Sequence, residues 1–271
     1  MRVSELSAGM LALDRIQWHL TTVKLGRDLR LFGTVSSTNE VLRALAKDGA
    51  ADGTVVIADE QTAGHGRHGK PWFSPPGVNL YASVLFRPTI PPREVPGFSF
   101  IVSLALSDAI QAEGLEPAIK WPNDVLVGKK KVAGSLAECA TSGTRVDYVI
   151  LGVGVNLNVT AVALWGALGE AAQAAGSLAA AARRKIDRSA FAATFLNALE
   201  RWAGIFAEKG PAPVLAAWRD RDILTGRRVL VRDGETYDGR VLGVDRQGYL
   251  ALRDSQGVRR RVLTGEIRLA D

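Results

Sequence analysis

Between Gln61 and Trp72 the chain reads Gln-Thr-Ala-Gly-His-Gly-Arg-His-Gly-Lys-Pro-Trp, so Gly64, Gly66 and Gly69 alternate with His65, Arg67, His68 and Lys70. Glycine allows positive φ and close backbone approach. Such a loop can therefore wrap N–H groups around an anion while Arg67 and Lys70 supply charge. It is not a Walker A loop, because no Gly-Lys-Ser/Thr follows, and its glycine spacing is not that of a dinucleotide fingerprint. In isolation a Gly/basic loop is more often a flexible surface loop. Trp72 shifts that balance, since an aromatic face beside a phosphate loop suits stacking on a base.

A second segment, Lys120-Trp121-Pro122-Asn123-Asp124-Val125-Leu126-Val127, is followed by Gly128-Lys129-Lys130-Lys131-Val132-Ala133-Gly134. Apolar residues on both sides of the Gly-Lys turn predict a hairpin that brings Lys120 and Lys131 to the same region, where two ammonium groups can meet one anion. Lys129 and Lys130 read as a solvated turn. Asn123 and Asp124 fit an Asx-type turn, or Asp124 offers an oxygen to a Mg²⁺ that bridges phosphates.

Ser36-Ser37-Thr38-Asn39-Glu40 precedes the helical run Val41 to Ala46. Ser37 and Glu40 satisfy a capping box, which would explain them structurally; a helix N-terminus also offers hydroxyls and free N–H groups to a small polar head group. In Ile150-Leu151-Gly152-Val153-Gly154-Val155-Asn156 the glycines interrupt a strand and predict close approach of a ligand or another backbone, with Asn156 in reach of nucleotide polar atoms. His65 and His68 have only His19 as a further histidine, so no transition-metal site is expected. Cys139, the only cysteine, has no disulfide partner and reads as a small core residue.

The elements that must hold these residues alternate. Thr54–Ala58, Val78–Phe86 and Val146–Val155 read as strands, and Ser99–Gln111 as a helix. The Ala-rich stretch 161–184 and Ser189–Glu208 read as helical cover for the sheet, with a break at Gly210-Pro211-Ala212-Pro213. Residues 1–30 are a lead-in with one helix at most. After Thr225-Gly226, short alternating runs at 227–231, 237–244, 248–252 and 258–263 predict a small SH3-like β-barrel. A chain of 271 residues with 47% hydrophobic content can bury a core and carry a second small domain. Its 34 Lys and Arg against 28 Asp and Glu leave +6, which suits an anionic ligand, an acidic partner or nucleic acid. No signal peptide and no apolar run approaching roughly 20 residues is read from it, so a cytoplasmic protein without membrane association is expected.

Together these segments, in this order over residues 31–157, resemble the catalytic core of biotin protein ligases, and Gly265-Glu266-Ile267 near the end is also similar to that family. The resemblance implies an α+β fold: a class II synthetase-like catalytic domain of mixed sheet and flanking helices over 31–222, and an SH3-like barrel over 223–271. It implies ATP-dependent activation of biotin to biotinyl-5'-AMP, then transfer to a lysine of a biotin carboxyl carrier domain. Ser37, Thr38, Asn39 and Gln61 would line the head-group pocket, and the backbone of Gly64, His65 and Gly66 would close over biotin and adenylate beside Gly134. Arg67 and Lys131 would meet the carboxylate and α-phosphate, and Lys120 the phosphates. Lys70, Trp72, Asn123 and Asn156 would serve the nucleotide, and Asp124 the Mg²⁺. His65 and Lys70 depart from the family loop, where arginines are common. Only 36 residues precede Ser37, too few for the helix-turn-helix domain of family members that repress transcription, so a short form without specific DNA binding is expected. A homodimer through sheet edges is a family-based expectation. A lipoate or octanoate ligase of the same fold is the nearest alternative, disfavoured by the Gly/basic loop and the Lys-Trp-Pro-Asn-Asp run.

Overall fold

The computed structural model describes residues 10–270; the first nine residues of the lead-in lie outside the described residues. Helix α1 (Leu13–His19) seats Ile16 in the core. A seven-stranded mixed sheet follows, in the order β1-β2-β3-β7-β6-β5-β4. Its strands are β1 (Leu29–Val35), β2 (Val55–Gln61), β3 (Leu80–Phe86), β4 (Pro117–Lys120), β5 (Asp124–Val127), β6 (Lys130–Ser142) and β7 (Arg145–Val155). Strands β1 and β2 pair in parallel; β2 with β3 and every later pair is antiparallel.

All seven residues of β3 are buried, as expected of a central strand with both faces covered. One face packs on α2 (Thr38–Lys47) through Leu42, Ala46, Val56, Leu85 and Ile150. The other carries the main core, under α3 (Gly97–Ala112) and α6 (Arg188–Lys209). The stretch Pro92–Ala112, 21 residues long, contains an 18-residue window of mean hydropathy 1.4, long and apolar enough to cross a membrane by length and composition alone. Eleven residues of α3 are buried, and its apolarity serves the core. Gly210, at φ 70°, ends α6, and Pro211 opens α7 (Pro211–Arg219) from its first turn. The expected break is thus a junction of two helices, since proline is pre-organised for a helix start.

Two expectations are corrected. The Ala-rich stretch gives the sheet only slight cover: α4 (Ala161–Leu168) buries only Leu164 and leaves Val162 and Trp165 exposed, while short α5 (Leu178–Ala182) reaches the main core through Leu178. Cys139 is exposed, because this end of β6 extends beyond the helical cover.

The expected C-terminal β domain is a five-stranded antiparallel sheet, β11-β10-β9-β8-β12. It comprises β8 (Arg228–Asp233), β9 (Glu235–Val244), β10 (Leu250–Asp254), β11 (Arg259–Val262) and β12 (Glu266–Leu269). Trp121, only 3% exposed, donates its indole N–H to the Gly248 carbonyl at 3.0 Å. A Cβ on Gly248 would stand 2.7 Å from the Phe100 ring. The tryptophan of the Lys-Trp-Pro-Asn-Asp run therefore seats the second sheet against the first.

Candidate active site

The register of the sheet creates the site. On β7, Ile150, Gly152 and Gly154 share one face, two residues apart. Helix α2 packs on the Ile150 end. Where the helix stops, the two glycines continue the face without side chains, joined by Gly134, which pairs with Gly154, and Leu136, which pairs with Gly152. The result is a cavity of about 740 Å³, of the size used for small ligands. The glycines make room for neighbouring side chains: a Cβ on Gly152 would lie 2.2 Å from Asn39 Oδ1, and one on Gly154 2.3 Å from Trp72 Nε1.

One end of the cavity is neutral. Ser37, Thr38 and Asn39 are all buried and line it together with Gln61. Ser37 is the N-cap of α2 but makes no side-chain cap bond, and Glu40 instead accepts from Ser36 Oγ at 2.6 Å. The expected capping box is not formed, which leaves the Ser37 hydroxyl to the cavity. Thr38 N–H donates to Gln61 Oε1 at 2.9 Å, and Gln61 Nε2 donates to Ser74 Oγ at 3.1 Å. Ser83 of β3 bridges Thr38 and Asn39 from below. Asn39 Nδ2 donates to Glu138 of β6 at 2.7 Å.

The other end is ionic. Lys131 Nζ stands 2.6 Å from Asp124 Oδ1 and 5.2 Å from the centre of the Trp72 ring, a cation–π arrangement. Burial pushes the Lys120 ammonium below its ordinary pKa, partly offset by the attraction of Asp124; the nearby Lys131 charge lowers it further. Burial also lowers Arg67, which Asp124 supports in its charged form. Three cations thus surround one carboxylate, an excess that an anionic ligand would balance. Asn123 and Asn156 both line the cavity, with their amide nitrogens committed to the Ser135 carbonyl at 2.5 Å and the Gly176 carbonyl at 3.0 Å. Each bond uses one N–H of the amide and leaves the second N–H and the oxygen for a nucleotide.

Within the Gly/basic loop, His65, Gly66, Arg67, Lys70 and Trp72 reach the cavity. Gly64 does not. It lies behind the loop, where a Cβ would meet Ser74 Oγ at 2.6 Å, and its carbonyl accepts the Trp72 N–H at 2.8 Å. The loop is held from the C-terminal sheet: Arg67 Nη2 donates to Thr264 Oγ1 at 2.6 Å, and Lys70 is 3.4 Å from Glu266. Burial disfavours the Glu266 charge, but Lys70 and Arg268 prevail and hold its carboxyl below the usual range. Thr264, Glu266 and Arg268 had no expected place in the site, and Ser83 and Glu138 were also missed. A lone serine in the apolar and aromatic strand Leu80–Phe86 is the signal that could have found Ser83.

Comparison with known proteins places this geometry. Residues 31–156 match the Biotin/lipoate A/B protein ligase family, and residues 224–269 match the Biotin protein ligase C terminal domain. A biotin--[acetyl-CoA-carboxylase] ligase of Paracoccus denitrificans is 34% identical over 84% of this chain and 95% of its own length. The chain belongs to the biotin protein ligase family. A bifunctional ligase/repressor BirA of Bacillus subtilis is 32% identical over 96% of this chain and 80% of its own. The solved biotin protein ligase from Aquifex aeolicus in complex with biotin and ATP superposes with a TM-score of 0.74 at 26% identity, covering 90% of this chain and 98% of that one. The C-terminal match includes Thr264 and Glu266, which hold Arg67 and Lys70.

Proposed function

We propose that this biotin protein ligase binds the biotin ureido ring at the neutral end of the cavity and ATP at the ionic end, joins them, and passes biotin to a lysine of a carboxyl carrier domain in the cytoplasm. The carrying observation is the polarity of the cavity: amides and hydroxyls at Thr38, Asn39 and Gln61, then Arg67, Lys120 and Lys131 around Asp124.

In the first step a biotin carboxylate oxygen attacks the α-phosphorus, and pyrophosphate leaves as the bond to the β-phosphate breaks. Two anions must approach and charge grows on the phosphoryl oxygens, so pre-placed cations lower the barrier. Lys131 would exchange its Asp124 contact for the α-phosphate, Arg67 would face the carboxylate, and Lys120 the outer phosphates. In the second step the acceptor lysine amine attacks the mixed-anhydride carbonyl and AMP leaves. Loop and C-terminal sheet together would restrain water from that anhydride.

Among the described residues no group of three His, Cys, Asp or Glu could hold a metal by itself, so Mg²⁺ would enter with the nucleotide and use Asp124 as one oxygen ligand, as Mg²⁺ sites on phosphates commonly do. There it would neutralise phosphate charge. The deciding experiment is ATP-dependent transfer of biotin to a carrier-domain lysine, followed by mass spectrometry. Calorimetric binding of lipoate with no binding of biotin would overturn the reading. A separate gel-shift assay would reveal any salt-sensitive, sequence-specific DNA binding.

A further inference from the structure

Resting on the ligase reading, we infer that a row of arginines across the outer side of the C-terminal sheet is the docking surface for the carrier domain, which meets it with carboxylates. Strand register builds the row. Arg228 of β8 pairs with Arg240 of β9, Arg240 with Arg253 of β10, and Arg253 with Arg259 of β11. Directly paired residues share a face, so four successive strands each place one guanidinium on the same side. All four are exposed, while their neighbours Val229, Val241 and Leu252 are buried. Residues 224–269 hold ten arginines, no lysine and six acidic residues, so +4 of the chain's +6 lies in this sheet.

Like charges directly opposite one another destabilise a sheet, and the row consists of such pairs. Asp238 relieves Arg228 at 2.8 Å, and Arg240 donates to the Gly226 carbonyl at 2.8 Å. Among the described residues the side chains of Arg253 and Arg259 have no ion pair or hydrogen bond. An acidic partner would remove the repulsion that the fold leaves standing there. The row also leads to the cavity. Arg268 of β12 lines the cavity and pairs with Leu230, two residues along β8 from Arg228 and on its face. A carrier seated on the row would therefore lie beside the opening that its lysine must enter. Leu230, 41% exposed, stands between Arg228 and Arg232 on that face, and an aliphatic side chain among arginines suits a protein interface. A nucleic acid finds less. Tyr237 and Tyr249, the only aromatic residues of 224–269, already stack with Arg260 and Arg261 and do not stand open to a base.

Arg253 does not line the cavity, so reversing its charge separates docking from chemistry. In the full chain, with the unbiotinylated carrier domain of an acetyl-CoA carboxylase as acceptor, Arg253→Glu should raise KM for the carrier about fivefold or more at low salt. The difference should shrink as added salt screens the surface. Arg253→Lys, which keeps the charge, should restore a KM near that of the wild type. The KM values for biotin and ATP, and pyrophosphate release without carrier, should not change. Discharge of the adenylate by hydroxylamine, a small nucleophile that needs no docking, should also keep its wild-type rate. Thermal melting should show Arg253→Glu no less stable than the wild type, because the new carboxylate stands opposite Arg240 and Arg259; a merely structural arginine would give the reverse. An unchanged carrier KM at low salt, or an equal loss with hydroxylamine, would overturn the inference while leaving the ligase reading intact. So would a DNA or RNA oligonucleotide that the wild type retains and Arg253→Glu releases while carrier KM stays fixed, which would give the row to nucleic acid. Failure of the wild type to biotinylate the carrier with ATP would bring down both.

Discussion

The two ends of the cavity recognise by opposite physics. At the head-group end, neutral groups on α2, β2 and β3 are already bonded to one another and to the Glu138 carboxylate of β6, so the pattern of donors and acceptors exists before any ligand arrives. At the phosphate end, half-exposed Lys131, Asp124, Lys70 and Glu266 hold one another in ion pairs, which incoming phosphates can replace. The first arrangement gives selectivity, because a wrong ligand meets fixed, unmatched polar groups. The second gives electrostatic stabilisation that strengthens as charge develops.

The sharpest way to break this division is at Lys131. Lys131→Ala should lower kcat for adenylate formation by about 10²- to 10³-fold in a pyrophosphate-release assay, the usual cost of losing one transition-state charge contact, while biotin affinity changes little. Gly152→Ala should do the reverse. Its Cβ displaces Asn39, and overpacking of this kind should weaken biotin binding about ten- to hundredfold by calorimetry. Comparable effects of both substitutions on both ligands would show that the ends are not separate.

Lys120 supplies a pH test of the ionic end. Because burial lowers its pKa, its charge is present below that value and is lost as pH rises through it, at a pH below the ordinary lysine value of about 10.4. The rate constant kcat/KM for ATP should therefore fall on the alkaline side by up to about tenfold per pH unit. Lys120→Arg should move that limb to higher pH, since guanidinium stays charged. The neutral end contains no such group, so biotin affinity should not share the limb. The smallest expected effect is at His65. It lines the cavity, with its ring Nδ1 turned back to the Ala63 carbonyl at 3.1 Å, so the side chain faces its own loop. His65→Arg should leave turnover unchanged or better, and a large loss of pyrophosphate release would assign the imidazole itself a role.

Sequence and structure agree best where the signal is local. Hairpin β5–β6, strand β7 and helix α3 follow from patterning and turn chemistry, and Lys120 and Lys131 do come to one carboxylate as the hairpin predicts. They agree least where a local motif had a second explanation. Ser37 and Glu40 have capping-box spacing, yet Glu40 turned to Ser36 and the box did not form. The β7 glycines were read as space for a ligand or backbone, and they first make space for Asn39 and Trp72.

What the sequence by itself determined is the inventory and order of chemistry: a basic glycine loop, one lysine ahead of a hairpin and one within it, a polar helix start and a β-rich C-terminal segment, all encoded within stretches short enough to read. The tertiary structure alone decided how these stretches meet. Glu138 lies 99 residues from Asn39 and Thr264 lies 197 from Arg67. Pairing of strands and docking of the second sheet bring them together, and neither leaves a periodic or spacing signal at the residues concerned. The direction of each buried hydrogen bond is likewise a property of the whole network, because each proton can be assigned only after its neighbours' protons are placed.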